Sequence, residues 1–511
     1  MLRRDPLGCK SLVWNLLSVD HGFLRQVFSP ITPSEYFLAA MERNFEGLPH
    51  FGIFFRSSQA RSRRARNQAT AKERIERMET GGPLIGRLRA RLNRRLHSTL
   101  CMVLVALALR LAVMVFQYPE QMNPVHDHFR FGFEMGRVAR SIVQGKGFGN
   151  PLYEDTGPTA WMPPVYTYLL AGVFKLFGTY TKTSALVMLS FNCVASALNC
   201  LPVYFMARKS FGDRIGLWSG WAWAVFPYGV YFPSELIWPT TLATLMLSLL
   251  FMMVLYLADS DRLSSWIGYG LLWGLAALTE PGVVSVLPFI SLWACYRLYR
   301  DRKRWFLCAA ASSLAFFLAV GPWLVRDYVV FHQFVPLRDN LGLELRLGNS
   351  DDNSYLINKR LGPWSNPEWD EFKRVGELNY MAEKKRQGME FIGTHRALFV
   401  KTTLRRIVYV WTSFWSLDFA RVNDEPLDRP NIFFCTSLTI LAVLGFRRAY
   451  QADRAAAMPY AIALFTFPLV YYVTHNEMRY RRPIDPLMVV LATVAIASWR
   501  PRDRVKREEG T

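Results

Sequence analysis

Ionisable side chains stand at the ends of several long apolar runs in this sequence of 511 residues. Charged groups beside hydrocarbon are costly to bury and are usually functional. A carboxylate in such a place can accept a proton, and the fork of an arginine fits phosphate oxygens. The predicted membrane orientation assigns one such set to the outer side: Asp127, Glu134, Glu235, Glu280, Arg326, His475, Glu477, Arg479 and Arg481. We therefore expect an acid–base and phosphate-binding site at the outer membrane surface.

The first acids of this set lie in the polar segment 118–163, where a helix is predicted from Asp127 to Gln144. Gly145 provides its stop signal. Asp127 lies near the start of that helix, where its negative charge is favoured. Spacing by three and four residues puts four side chains on one helix face: Asp127, Arg130, Phe131 and Glu134. The helix is therefore expected to present two acids together.

Parts of this loop have more than one explanation. Asp127 could cap the helix without a part in catalysis. His126 and His128 have the His-x-His spacing found in metal sites, so a divalent metal stays an alternative, although interfacial histidines without a ligand are commoner. No other cofactor is predicted. The stretch Gly145–Gly149 resembles a phosphate-binding glycine loop, but no strand precedes it, so we predict a turn.

The apolar runs are long enough to cross a bilayer. Half of the residues are hydrophobic (51%), and runs such as 242–258 and 306–325 are nearly free of charge. About 18 or more such residues span the hydrocarbon layer. Hydropathy and the positive-inside rule predict about ten spans, with twelve as the upper limit. The predicted spans are 99–117, a run that ends at Lys209, 214–232, 235–258, 264–279, 282–299, 305–325, 431–449, 456–474 and 484–499.

Two further apolar segments do not fit this orientation. Segment 163–177 is short and begins with Pro-Pro, and a full crossing would move Arg208 and Lys209 to the outer side. Segment 404–419 is aromatic and carries two arginines at its start. We predict that both lie at the outer interface or dip into it. The predicted fold is thus an all-α polytopic membrane protein with juxtamembrane helices in the first outer loop and a small outer-face domain.

The N-terminal zone, residues 1–97, differs from the rest because arginine dominates it from Arg56 onward. The positive-inside rule favours a disordered cytoplasmic tail. A nucleic-acid-binding arm is an alternative, since basic tracts bind phosphate chains, but no companion motif supports it. A translation start at Met78 is a further alternative for this zone.

The cysteines offer neither a disulfide framework nor zinc-binding spacing. Cys9 lies in the N-terminal tail. The other six lie in predicted spans: Cys101, Cys193, Cys200, Cys295, Cys308 and Cys435. They are interpreted as small packing residues.

Shifts in composition divide the chain into five parts. They are a basic cytoplasmic tail (1–97), a transmembrane module (98–325) with the catalytic first outer loop (118–163), an outer-face soluble region (326–400), C-terminal transmembrane helices (401–500) and a cytoplasmic tail (501–511). The outer-face region contains Trp364, Trp369, Asn349, Asp351 and Asp352. It could cover the site and bind an acceptor, whereas tryptophans in a small domain are more often core. The sequence leaves both interpretations open.

The order of several short motifs resembles a known family. Those motifs are Asp127 after the first span, Gly145-x-Gly147-Phe148, Pro158-Thr159-Ala160, Pro163-Pro164-x-Tyr166, Gly321-Pro322-Trp323 with Arg326, and Arg479-Tyr480-Arg481-Arg482-Pro483. Over about residues 98–500 the chain is similar to the GT-C membrane glycosyltransferases. More narrowly, it resembles the protein mannosyltransferase and aminoarabinose transferase group (glycosyltransferase family 39-like).

The resemblance implies a polyprenyl-phosphate sugar donor and an outer-loop acid that acts as catalytic base. Asp127 takes that position. The family often has Asp-Glu there, whereas this chain has Asp127-His128, so Glu134 is a candidate for the second acidic role. Single displacement with inversion is expected, to a lipid, glycan or protein acceptor at the outer face.

Other residues are assigned to binding. Candidate ligands of the donor phosphate are Arg326, Arg479, Arg481 and Lys146. Candidate substrate-binding residues are His126, His128, Arg130, Tyr166, Glu235, Glu280, His475 and Tyr480. The C-terminal arginines could instead anchor lipid headgroups, and Glu235 and Glu280 could cap helices.

The expected location is a multi-pass integral membrane protein of a bacterial inner membrane, with the site facing the periplasm. The expected partners are the lipid-linked donor, the acceptor and membrane lipids, without nucleic acid. A flippase or transporter of lipid-linked sugars is the alternative function. Transporters tend to show repeated halves and polar groups at mid-membrane, and this sequence shows no internal repeat and few charges within its spans.

Overall fold

A computed structural model describes residues 98–121, 131–350, 358–413 and 428–499. The chain divides into two compact units, Met1–Arg87 and Leu88–Thr511, and every described residue belongs to the second. Within the described ranges the regular elements are all helices, and the one strand-like feature is an isolated bridge between Gly149 and Pro158. The predicted all-α polytopic fold is confirmed.

Nineteen α-helices form the described part of the chain. They are α1 Thr99–Gln121, α2 Phe133–Val143, α3 Pro164–Phe177, α4 Lys182–Leu198, α5 Cys200–Phe211, α6 Asp213–Ala224, α7 Pro227–Tyr231, α8 Thr240–Leu257, α9 Leu263–Ala277, α10 Leu287–Arg300, α11 Trp305–Phe331, α12 Leu341–Gly348, α13 Asn366–Val375, α14 Glu377–Thr394, α15 Arg396–Thr412, α16 Asp428–Ala452, α17 Arg454–Thr466, α18 Leu469–Val473 and α19 Asp485–Trp499. Short 3-10 helices occupy Phe232–Ser234, Pro281–Val286, Lys359–Leu361 and Met478–Ile484.

Eight helical stretches of the described residues are long and apolar enough to cross a membrane. They are Thr99–Gln117, Lys182–Phe211, Thr240–Leu257, Pro281–Arg300, Trp305–Phe331, Ile432–Ala452, Arg454–Val473 and Arg479–Trp499. The predicted number of ten is not confirmed. Helices α6 and α9 occupy the other two predicted spans with only 12 and 15 residues. Helix α6 stops early because Phe226, which precedes Pro227, is extended.

The two apolar segments that did not fit the orientation are also helical. Helix α3 has only 14 residues and is therefore shorter than a span. It carries Pro164 in its first turn. Helix α15 covers the start of segment 404–419, and residues 414–427 lie outside the described part. Their position at the membrane interface stays a prediction.

The helix predicted from Asp127 begins later than expected. Helix α2 starts at Phe133, because Gly132 has a φ of +72° and interrupts any continuous helix from Asp127 to Glu134. The prediction that these two acids share one helix face is therefore wrong. Asp127 itself lies outside the described residues, as do His126, His128 and Arg130.

The predicted end of this helix and the turn behind it are confirmed. The amide of Gly145, at φ +78°, donates to the carbonyl of Ile142, and the helix closes there. The chain then turns, and its backbone pairs with the segment that carries Thr159. The amide of Asn150 donates to Gly157 O at 2.8 Å, and the amide of Thr159 donates to Phe148 O at 3.2 Å. The glycine-rich stretch thus holds the Thr159 backbone in place.

Two hydrophobic cores are present. One lies among the membrane helices around Trp266, Trp273 and Tyr460. The other joins the first loop to the polar segment 332–395: it contains Phe131, Trp161, Leu343, Trp369 and Phe372. Segment 332–395 is therefore packed onto the first loop. Trp369 stacks on Phe372 at 5.9 Å and is a core residue, which answers one question that the sequence left open.

Candidate functional site

Glu134 lies in the first turn of helix α2, immediately behind the glycine that starts the helix. Its Oε1 accepts a hydrogen bond from Trp364 Nε1 at 3.3 Å. Burial raises the pKa of Glu134, although the charge of Arg479 opposes that rise. A raised pKa makes a carboxylate a stronger proton acceptor, which suits general acid–base catalysis.

Arg479 brings a cation to the same place. Its guanidinium forms an ion pair with Glu477 at 2.6 Å and lies 4.8 Å from the centre of the Trp238 ring. The buried Nε of Arg479 has no hydrogen-bond partner among the described residues. This nitrogen can therefore donate to a ligand oxygen.

His475 and Glu344 form a pair beside Arg479. His475 Nε2 and Glu344 Oε2 are 2.5 Å apart, and His475 is almost fully buried at 1% exposure. Burial would raise the pKa of Glu344, but the hydrogen bond and charge of His475 outweigh it and hold that pKa below its usual value. Glu344 is thus an ionised acceptor at neutral pH.

A buried arginine fixes the helix that carries Glu344. Arg406, on α15, is fully buried, and its guanidinium binds Gly348 O, Val473 O and Asn349 Oδ1. A Cβ atom at Gly348 would lie only 1.8 Å from Thr474 O, so the end of α12 and the chain before His475 touch backbone to backbone. This contact sets the distance between Glu344 and His475.

Glu280 and Arg338 complete the group from another direction. Arg338 Nη1 lies 4.0 Å from Glu280 Oε1, and its Nε donates to the carbonyl of Trp161 at 2.7 Å. Burial raises the pKa of Glu280, while Arg338 and Arg479 act against the rise.

These side chains influence one another and form one site, which we name the charged cluster. Its members are Glu134, Glu280, Arg338, Glu344, His475, Glu477 and Arg479. Arg479 acts electrostatically on three of the acids in the cluster. Tyr471 and Tyr480 stack beside it with ring centres 4.5 Å apart, and the ring of Tyr480 lies 5.4 Å from His475. The site thus combines proton acceptors, a cation and aromatic surfaces.

The described part of the chain also contains an apolar groove. It encloses about 480 Å³, and its walls come from α3, from the residue after α9 and from α11. The lining residues are Pro164, Val165, Tyr168, Leu278, Ala319, Pro322, Trp323 and Arg326. Leu278 precedes Glu280 by two positions, so the groove and the cluster are adjacent along the chain.

Arg326 lies at this groove but is already engaged. Its guanidinium donates to Thr159 O at 2.9 Å and to Phe148 O at 2.8 Å, and it forms an ion pair with the buried Asp327 at 2.7 Å. It also lies 4.9 Å from the ring centre of Trp323. Arg326 therefore holds the Thr159 backbone at the groove.

The structure brings together five of the predicted site residues: Glu134, Glu280, His475, Arg479 and Tyr480. It places others elsewhere. Arg481 is only 6% exposed and is occupied by Asp485 at 2.9 Å and by main-chain carbonyls. Lys146 pairs with Asp155 at 2.5 Å on an exposed surface, and the buried Tyr166 hydroxyl donates to Asn192.

Glu235 follows the 3-10 helix Phe232–Ser234 and is partly buried. Its part in substrate binding stays a prediction. The described residues contain no group of three or more histidine, cysteine or acidic side chains placed to hold a metal ion. The two histidines for which a metal was considered lie outside that part of the chain.

Sequence reasoning missed Arg338 and Glu344. Both lie in the polar segment 332–395, where charge by itself gives no signal. One signal was available for Glu344: it is the sole acid in Leu341–Gly348, which forms α12 and is apolar apart from Glu344 and Arg346.

One family model matches part of the chain. Residues 162–323, which include Glu280 and all of the groove residues except Arg326, match the family model described as dolichyl-phosphate-mannose-protein mannosyltransferase. The chain is similar to GT-C membrane glycosyltransferases of the protein mannosyltransferase group. The resemblance predicted from the sequence is confirmed. A search of curated proteins gives no match.

Solved structures of membrane transferases resemble the chain at low identity. The oligosaccharyltransferase of Archaeoglobus fulgidus in complex with Zn and sulfate has a TM-score of 0.48 and 15% identity, over 78% of this chain and 49% of that one. ArnT from Cupriavidus metallidurans in the apo state has a TM-score of 0.43 and 15% identity, over 79% and 60%. ArnT bound to undecaprenyl phosphate has a TM-score of 0.34 and 13% identity, over 76% and 78%.

The chain thus spans about half the length of the oligosaccharyltransferase. All three TM-scores lie below 0.5.

Proposed function

We propose that this integral membrane protein is a glycosyltransferase that moves a sugar from a polyprenyl-phosphate donor to an acceptor at the outer face of the membrane. The observation that carries the proposal is that short stretches of chain, Leu278–Glu280 and Thr159–Trp161, link the apolar groove to the charged cluster, in and next to the region that matches the mannosyltransferase family model. A lipid-linked sugar needs a site of this kind, because its tail is apolar and its reacting end is charged.

The groove is the proposed site of the isoprenoid tail. Its lining is apolar except for Arg326, and the exposed ring of Tyr168 lies along one wall. Such a tail comes from the bilayer rather than from water, so van der Waals packing against the groove walls would hold it. The tail would then lead from the groove past Leu278 to Glu280 and the charged cluster.

Arg479 is the proposed ligand of the donor phosphate. Its buried Nε lacks a partner in the described part of the chain, so the fork can bind phosphate oxygens that gain charge as the sugar leaves. Arg326 adds positive charge at the groove. The internal contacts of Arg481 and the exposed pairing of Lys146 give less support to their predicted phosphate roles.

The proposed reaction is a single displacement with inversion. The acceptor hydroxyl forms a bond to the anomeric carbon while the bond from that carbon to the phosphate oxygen breaks, and the electron pair stays on the phosphate. A carboxylate takes the proton of the hydroxyl. Asp127 remains the proposed base, and Glu134 is the acid of the same loop that the structure places in the charged cluster.

Aromatic rings around the cluster suit a sugar. Trp238, Trp364 and Tyr480 surround Glu134 and Arg479, and such rings can pack against the apolar face of a pyranose. The acceptor is proposed as a lipid, a glycan or a protein. The proposed location is a bacterial inner membrane, with the charged cluster on the periplasmic side.

The test is sugar transfer by the purified protein in lipid nanodiscs with a panel of radiolabelled polyprenyl-phosphate sugars. Wild type is compared with Asp127→Asn, Glu134→Gln and Arg479→Gln. Glu390→Gln is the matched control, because Glu390 is an exposed residue that pairs only with Arg386 on its own helix. Loss of transfer or donor hydrolysis in the cluster variants alone, with the lipid still bound, supports the proposal. Donor binding without turnover by wild type on every donor would favour a flippase.

A further inference from the structure

Residues Thr159–Trp161 run between the groove and the charged cluster, and charged side chains hold their backbone. Arg326, at the groove, donates to the carbonyl of Thr159 at 2.9 Å. Arg338, in the cluster, donates to the carbonyl of Trp161 at 2.7 Å. The position of this three-residue segment therefore fixes both sites relative to each other.

Glu377, the first residue of α14, holds the same segment at two points. Its Oε1 accepts a hydrogen bond from the amide of Ala160 at 2.7 Å, and its Oε2 accepts one from the Thr159 hydroxyl at 2.6 Å. The Thr159 oxygen in turn accepts a bond from the amide of Trp161 at 3.0 Å. The carboxyl group of Glu377 thus fixes Thr159 and Ala160 directly, and Trp161 through the Thr159 hydroxyl.

Asp339 meets Glu377 at this point. The amide of Asp339 donates to the carbonyl of Ala160 at 3.3 Å, while Glu377 accepts from the amide of the same residue, so both acids contact Ala160 and their side chains interact. Both Asp339 carboxylate oxygens are buried, and neither has a hydrogen-bond donor among the described residues. Two ionised carboxylates in such contact repel each other, whereas one shared proton turns the contact into a hydrogen bond.

The charges around the pair favour retention of that proton. Burial raises the pKa of Asp339 to about 6, with Arg338 acting against the rise and Asp327 adding to it. Burial and the neighbouring Asp339 raise the pKa of Glu377 well above its usual value. Arg326 binds the neighbouring Thr159 carbonyl, and its charge is balanced by the ion pair with Asp327 at 2.7 Å.

We propose that Glu377 is a positioning residue, which holds the Thr159–Trp161 segment between groove and cluster through a proton that it shares with Asp339. When this segment is docked against the two acids, they keep a proton that they release when they separate, so docking is favoured at low pH. It weakens as pH rises through the raised pKa values, the lower of which is near 6. The consequence for sugar transfer rests on the proposed function, whereas the docking itself does not.

The test measures amide hydrogen exchange in peptides that cover 158–162 and 337–341, in nanodiscs from about pH 5 to about pH 9. Glu377→Gln and Asp339→Asn are compared with wild type at each pH, so that the intrinsic exchange rate cancels. In either variant an amide group donates where the shared proton did, without titrating. Glu390→Gln, on the same helix and exposed, is the matched control.

The expected result is that wild-type protection of these amides falls by up to about tenfold per pH unit once the pair titrates, while both amide variants keep their protection. The control should follow wild type. Identical pH dependence in wild type and in Glu377→Gln would overturn the proposal, as would constant wild-type protection over the whole range.

Two further measurements keep the outcomes distinct. Thermal unfolding in detergent shows whether a variant is folded, and only variants that unfold near the wild-type temperature are interpreted. Transfer activity is then measured on the same samples. If wild type shows the expected pH-dependent protection but transfers no sugar from any donor, the proposed function is refuted and the role of Glu377 stands.

Discussion

His475 Nε2 and Glu344 Oε2 lie 2.5 Å apart, and this pair joins the chain before Arg479 to helix α12. The residues are 131 positions apart in the sequence. The Oε1 of Glu344 accepts a second hydrogen bond, from Asn340 at 2.7 Å, so both carboxylate oxygens are engaged. The charged cluster therefore depends on a contact between the membrane part of the chain and segment 332–395.

Replacement of Glu344 by glutamine should disturb this pair and lower sugar transfer by about 10-fold to about 100-fold, because a hydrogen bond to a charged group contributes about 1.5–3 kcal/mol. The pKa of Glu344 is held below its usual value, so the contact is present at neutral pH and is lost only as pH falls through that lowered pKa. Transfer kinetics at neutral pH check the first point. Unchanged rates in a folded variant would remove Glu344 from the site.

Glu134→Gln should change the pH dependence of transfer. Burial raises the pKa of Glu134, so a base role predicts that wild-type activity rises with pH as this carboxyl group ionises. The variant should lose that rise and, if Glu134 is the base, about 10²-fold to about 10⁴-fold in rate. Rates measured across pH under donor saturation test this. A variant that keeps the wild-type profile would leave the base role to Asp127.

Gly348→Ala should destabilise the protein. The added Cβ would lie 1.8 Å from Thr474 O, and such overpacking typically costs about 1–3 kcal/mol. Gly393→Ala is the control, because nothing lies within 4 Å of a Cβ at that helical position. Thermal unfolding in detergent should therefore separate the two alanine variants. Equal unfolding temperatures would mean that the end of α12 moves away from Thr474 at little cost.

Tyr168→Glu should weaken donor binding. Tyr168 lines the groove and is half exposed, so the change puts a carboxylate where the isoprenoid tail is proposed to lie. We expect the KM for the donor to rise by about tenfold or more, because burial of a charge against a lipid tail is costly, with little change in kcat. Tyr296→Glu, an exposed tyrosine of α10 outside the groove, is the control. Similar KM values in both variants would count against the groove.

Much of the site could be predicted from the sequence, for a physical reason. Glu280, His475 and Arg479 stand beside apolar runs, where an ionisable group is costly and therefore informative. Glu134 lies in the polar first loop, and its predicted place on a helix pointed to it. Arg338 and Glu344 lie in a polar segment, where charge is the norm. Their place in the site depends on how segment 332–395 folds back onto the first loop, and this follows from the packing of Phe131, Trp161 and Phe372 rather than from any local pattern.

The roles of the C-terminal arginines show a different limit. Arg479 and Arg481 look equivalent in the sequence, but the chain forms a 3-10 helix from Met478 to Ile484. Residues two positions apart in such a helix point to different sides. Arg479 therefore reaches the charged cluster, while Arg481 turns inward to Asp485. A similar local effect shortens one predicted span, since Pro227 ends the apolar run of α6 early.

The contacts of Arg406 also determine which mutations the chain should tolerate. Its guanidinium binds the main-chain carbonyls of Gly348, Tyr472 and Val473, which every residue type provides. In a saturation mutagenesis library, Val473 should therefore accept many substitutions, whereas the Tyr472 hydroxyl also accepts a hydrogen bond from Trp411. Arg406 should accept few, because no other side chain presents so many donors in one plane. Gly348 should accept almost none. The contact between α12 and the chain before His475 should therefore constrain the residue type at only two of these positions, Arg406 and Gly348, although the main chain of several others takes part in it.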